Sequence, residues 1–155
     1  MRIHFLTCTT LPLLAVLAAR TPVTAQARTV DIAIATFTVE ADSAGMLRAA
    51  ADSCLNRLLR GLGVKGIVAT RNPRLTEKTL RNALPVAWAM VGHMKRTKGE
   101  VSIEMRLLEV ATGDEMVSYY NSGKDAQAVA NVGVAAAPRV AVFIQERKAS
   151  KSSRQ

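Results

Sequence analysis

From Thr29 to Val39 the side chains alternate as in a strand, yet both alternating sets are apolar. Val30, Ile32 and Ile34 form one set; Ala33, Ala35, Phe37 and Val39 form the other. A strand apolar on both faces has to be covered on both, so it belongs in the middle of a layered sheet. The next segment changes period. Met46, Leu47, Ala50, Ala51, Cys54, Leu55, Leu58 and Leu62 recur every 3.6 residues, with Arg48, Asp52, Asn56 and Arg60 opposite. That is an amphipathic helix packed on the sheet, capped by Asp42 or Ser43 and stopped by Gly61 and Gly63.

Val64–Thr70 reads as a short strand, and Arg71-Asn72-Pro73-Arg74 as a turn, because proline fixes its own φ and restricts Asn72. A short helix over Leu75–Leu84 ends at Pro85. Three strands follow, Val86–Arg96, Glu100–Val110 and Glu115–Ser122, joined by glycine-containing hairpin turns at Lys98-Gly99 and Ala111-Thr112-Gly113. A two-residue first turn places Met94 beside Ile103, Met90 beside Leu107 and His93 beside Glu104. A bulged second turn places Val117 and Tyr119 beside Leu107 and Met105. Asp125–Arg147 closes the chain as two helical pieces or one kinked rod, interrupted at Gly133 and at Pro138, with Pro138 opening the second half. The order β-α-β-α-β-β-β-α describes a single small α/β domain, a mixed sheet of about five strands with helices packed on it.

The amino terminus has a different character. Arg2 begins a short basic region, Phe5–Ala19 is apolar, and Val23-Thr24-Ala25 ends in small residues. This is the pattern of a secretory signal over residues 1–25, with cleavage after Ala25 or Ala27. The apolar run falls short of the about 20 residues that span a bilayer, and no transmembrane segment is expected in the mature chain. The domain then covers 28–146, and 147–155 is expected to be a disordered basic tail. Cys8 leaves with the signal, so Cys54 is the only thiol and no internal disulfide can form.

Two segments, Val86-Ala87-Trp88-Ala89-Met90-Val91-Gly92-His93-Met94 and Leu107-Leu108-Glu109-Val110-Ala111-Thr112-Gly113-Asp114-Glu115, carry a family resemblance. The chain resembles the TolB amino-terminal domain superfamily of bacterial envelope proteins. There a strand ends in glycine and a hairpin strand follows the form leucine-x-aspartate-valine-x-threonine-glycine-glutamate; Glu109 and Asp114 depart from it. The resemblance implies a non-catalytic periplasmic accessory or adaptor domain that docks onto other envelope proteins.

Chemistry is sparse. His93 is the sole histidine after the signal, and its expected neighbour is a surface carboxylate, so neither a metal site nor a histidine-based triad is expected. Gly61–Gly66 follows a helix and enters a strand, the reverse of a phosphate loop. No catalytic residue, metal or cofactor is expected. The chain carries a formal net charge of +9 and stays basic without Arg2 and Arg20. Export and the lack of interleaved aromatics argue against nucleic acid as its partner. An envelope protein is the expected partner, and an anionic polymer or lipid head group is the alternative. Arg71, Arg74, Lys78 and Arg81 form the candidate docking or anion-binding patch, the last three at helical spacing. Intact-mass analysis of protein from the envelope fraction should show a chain beginning at Gln26 or Arg28. A mass retaining Met1–Arg20 would replace the cleaved signal with an anchor.

Overall fold

Strand β1 (Ile32–Ala35) is buried on both faces, as its sequence requires. The computed structural model describes residues 29–153 apart from 41, 43, 44 and 84, so the export signal expected over 1–25 lies outside the described residues, as does Ser43. β1 pairs in parallel with β3 (Ala69–Asn72) on one side and β4 (Trp88–Thr97) on the other. β4 continues through antiparallel ladders to β5 (Glu100–Glu109) and β6 (Glu115–Gly123), giving the order β3-β1-β4-β5-β6. The hairpin registers agree with those read from the residues: Met90 faces Leu107, His93 faces Glu104, Met94 faces Ile103 and Tyr119 faces Met105. Lys98 and Gly99 both take positive φ in the first turn, and Gly113 does so in the second.

The segment expected as one strand over Thr29–Val39 divides in two, and β2 (Thr38–Glu40) makes the sixth strand, also parallel to β4. Ile34 pairs with Met90 and Thr38 with His93, so β1–β2 carries one residue more than β4 over that interval. This bulge reverses the expected faces beyond it. Phe37 and Val39 join Ile32 and Ile34 on one side of the sheet, whereas Ala33 and Ala35 lie on the other. Phe37 packs so closely on Gly92 that a Cβ there would sit 2.5 Å from the ring. The Phe37 carbonyl, freed from the ladder, accepts from the Arg48 guanidinium at 2.6 Å.

Helix α1 (Met46–Val64) begins where the Asp42 carboxylate accepts from the Leu47 and Arg48 N–H groups, at 3.1 and 2.8 Å. Desolvation opposes the Asp42 charge, but these N–H donors and the Arg48 cation outweigh it and hold the carboxyl below its ordinary range. Gly61 and Gly63 do not stop the helix. It ends through Gly66 at φ 75, with Ile67 N–H donating to the Leu62 carbonyl. Val64 therefore belongs to α1, and β3 starts at Ala69.

The carboxyl-terminal helix breaks earlier than Pro138. A single turn, α2 (Ala126–Val129), is capped by Asp125, and α3 (Val132–Ser152) then runs through Pro138. Proline removes one bond to the Val134 carbonyl; Val134 is 58% exposed, so water can satisfy that oxygen. By length and composition residues 126–152 would pass as a membrane span, but Val140, Ile144 and five alanines of this stretch lie in the core. Residues 147–152, expected as part of a disordered tail, are helical to Ser152. Lys148 forms an ion pair with Asp31, whose buried carboxylate also accepts from Val68 N–H at 2.8 Å, and Arg147 lies over the Phe143 ring.

α1 and α3 run in the same direction and touch through small residues. A Cβ on Gly133 would meet the Cys54 carbonyl oxygen at 2.4 Å, and one on Gly61 would meet Ala137 at 2.5 Å. Backbone cannot yield there, so Gly133→Ala should destabilise by about 1–3 kcal/mol. Gly63 is exposed and has open space at its Cβ position, so Gly63→Ala should stabilise by about 0.5–1 kcal/mol. Denaturant melts of the two variants should move in opposite directions.

Candidate functional site

The two crossovers around β1 use opposite faces of the sheet. α1 lies on the side of Ile32 and Ile34, while the link from β3 to β4 packs Leu75, Leu80, Ala83 and Val86 against Ala33 and Ala35. Where β1 ends and its neighbours diverge, a crevice is left open, the place where open α/β sheets hold ligands. Here it is a cleft of about 440 Å³. Ala35, Val91 and Gly92 supply its sheet side and Leu75, Thr76, Glu77 and Lys78 its crossover side. Thr36, Thr38, His93, Glu104 and Arg106 complete it. The bulge creates the floor, because it places Thr36 beside Ala35 in the same cavity.

The crossover is rigid without being an α-helix. Asn72 Oδ1 accepts from Arg74 N–H, Thr79 Oγ1 accepts from Thr76 N–H at 2.9 Å, and the same hydroxyl donates to the Arg74 carbonyl at 3.1 Å. Those local bonds compete with the α pattern, and residues Glu77–Ala83 form 3-10 turns interrupted at Thr79. Glu77 holds the segment to the sheet through Arg106 at 2.5 Å, and Glu104 stands 3.7 Å from the same guanidinium.

The four cations named from the sequence are not one patch. Arg71 belongs to β3, opposite Ile34, and so faces the helix side, where it pairs with Asp52 of α1 at 2.9 Å. Arg74, Lys78 and Arg81 are exposed on the crossover, on the other face. Lys78 borders the cleft, and Arg81 lines a second depression beside Gly113. Lys78 also lines this second depression, so Lys78 and Arg81 share it.

His93 has more neighbours than Glu104. Its Nδ1 lies 2.9 Å from Thr38 Oγ1, and its Nε2 lies 3.6 Å from Glu40. A hydroxyl, an imidazole and a carboxylate are thus in line. The carboxylate is 68% exposed and beyond hydrogen-bond distance, so it does not orient the ring, and Thr38 Oγ1 also donates to the Gly92 carbonyl. Cys54 sits in the core 3.6 Å from the Met105 sulfur, and burial pushes its thiol up to about 11, the state of an inert packing residue. Among the described residues no cluster of three metal-ligating side chains occurs. The cleft itself was missed in the sequence, where an unbroken alternation concealed the bulge.

No protein-family model matches the chain, and no curated protein does either. Solved structures do. The PelC dodecamer from Paraburkholderia phytofirmans is 15% identical, with a TM-score of 0.50 over 69% of this chain and 83% of that one. TolB from Acinetobacter baumannii is 13% identical, with a TM-score of 0.47 over 75% of this chain and 28% of TolB. The lipoprotein GNA1162 from Neisseria meningitidis is 11% identical, with a TM-score of 0.46 over 73% of this chain and 99% of that one. At this identity the PelC match shows a shared fold and nothing beyond it.

Arg106 is the latch between sheet and crossover. Arg106→Ala should cost under about 1 kcal/mol globally, since the pair is partly exposed. Hydrogen exchange over residues 75–83 should nonetheless accelerate by up to about fivefold as the cleft wall loosens. Unchanged exchange there would show that the threonine bonds alone hold the wall.

Proposed function

We propose that this chain is a non-catalytic accessory domain of the periplasm, an adaptor that contacts a protein of the cell envelope through its cationic crossover. The supporting observation is the state of Arg74, Lys78 and Arg81. All three are exposed on a segment fixed by Asn72, Thr76 and Thr79, and among the described residues none makes an ion pair. Cations held on a stiff support lose little freedom on binding, and arginine suits bidentate contact with carboxylates. The PelC neighbour forms a dodecamer, which agrees with contact between folded surfaces as a use of this fold. The polar groups around the cleft support binding better than catalysis, because its imidazole lacks a buried orienting partner.

Cross-linking in the native envelope, followed by identification of the adduct, tests this. Arg74→Glu with Arg81→Glu should move stability by less than about 0.5 kcal/mol and remove the adduct. Arg57→Glu with Arg60→Glu, an equal reversal on α1, should leave it. An adduct that survives the first pair, or falls equally with both, would overturn the crossover as the docking surface.

A further inference from the structure

The crossover covers only part of its face of the sheet, and the remainder is an open polar floor. In register across four strands lie Thr38, His93, Glu104 and Tyr120, and beside them Lys95, Ser102 and Ser122. Tyr120 is 69% exposed, the one large aromatic side chain left open among the described residues, although it stands in the middle of a strand. Its neighbour Tyr119, pointing the other way, is buried. With Lys95, Thr97, Lys98, Glu100 and Ser102, Tyr120 borders a shallow depression of about 320 Å³. Among the described residues neither Lys95 nor Lys98 makes a salt bridge. Lys98 is fixed in the left-handed region of a two-residue turn, so its backbone is not free to carry the cation away.

We propose that this strip binds an anionic polysaccharide. One sugar ring lies with its C–H face on Tyr120, the hydroxyls of Thr97 and Ser102 meet sugar hydroxyls, and Lys95 and Lys98 meet the acid groups. An open aromatic face offers apolar area with a polar edge, which suits a ligand that is itself apolar on one face and hydroxylated at its rim. A protein interface fits less well, since such interfaces favour arginine and clustered aromatics and are poor in lysine and serine. A single-stranded nucleic acid stacks successive bases on several aromatic platforms, and here there is one. The positive charge of the chain complements an acidic polymer. The row from Tyr120 through Glu104 to His93 joins this depression to the cleft over roughly 10 Å, taking about 4.8 Å per strand spacing. The proposal is independent of the docking role given to the crossover, because none of its cations is shared with Arg74 or Arg81.

Alginate, a polyuronate, is the probe and dextran the neutral control, with affinity gel electrophoresis of the mature protein at about 0.15 M salt, where exposed charges are screened beyond ~8 Å. Alginate should retard the protein and dextran should not. Tyr120→Ala should weaken retardation roughly tenfold or more, as removal of a stacking platform does, whereas Tyr120→Phe should keep it. Lys95→Gln with Lys98→Gln should weaken it likewise, and Arg57→Gln with Arg60→Gln should not. Melting curves of the Tyr120 and lysine variants should coincide with that of the parent protein, because Tyr120, Lys95 and Lys98 are exposed. No retardation by alginate, retardation unaffected by Tyr120→Ala, or an equal loss from the α1 pair would each overturn the proposal. Equal retardation by dextran would overturn the anionic assignment.

Discussion

The fold depends on β1 being shielded from water on both sides. Ile32 and Ile34 are inaccessible, and Ala33 and Ala35 are almost so. A central strand of this kind cannot have both of its crossovers on one side without leaving the other wet. α1 therefore covers one face, and the 73–87 link covers the other on its way from β3 to β4. The alanines on the second face present little apolar surface, so short 3-10 turns are enough to cover them. Opposite crossovers then leave a crevice at the carboxyl end of β1, and the extra residue at Thr36–Phe37 shapes its floor.

The helix layer follows from the same arrangement. Two helices must cover one side of a narrow sheet, and they fit only by approaching closely. Gly133 lies against the Cys54 carbonyl and Gly61 against Ala137, contacts that larger side chains would hold apart. Close approach brings Gln145 to the Lys65 carbonyl at 3.0 Å and Lys148 to Asp31. Trp88 meets Phe143 edge-on at 5.3 Å on the same side. Together these contacts order the basic carboxyl-terminal residues as far as Ser152.

Charge is divided by this geometry more than it is shared. Arg71 is neutralised by Asp52 on the helix side, and Arg106 is committed to Glu77 and Glu104 as a latch. Among the described residues Arg74, Lys78 and Arg81 have no ion-pair partner on the crossover, nor do Lys95 and Lys98 on the open end of the same face, with the cleft between the two groups. One face thus presents two cationic surfaces of different chemistry, a stiff arginine-bearing rim and a lysine–hydroxyl floor around Tyr120.

The residues alone determined the class and most of the pairing. Period-2 and period-3.6 patterns announce burial directly, and the glycine turns at Gly99 and Gly113 set hairpin register locally, so Met90, Met94 and Tyr119 found the partners their sequence requires. Three features were decided by tertiary structure. The bulge leaves no mark in an alternation that is apolar on both sets, so the faces of Phe37 and Val39, and the cleft, emerged only once β4 supplied the register. Gly61 and Gly133 read as a helix stop and an interruption, because a glycine that admits a neighbouring helix has the same local signature as one that ends its own. The basic patch read as four cations in one run, but consecutive residues can leave a strand on one face and enter a crossover on the other. Only the path of the chain around β1 separated Arg71 from Arg74, Lys78 and Arg81, because the face a side chain occupies is set by long-range pairing.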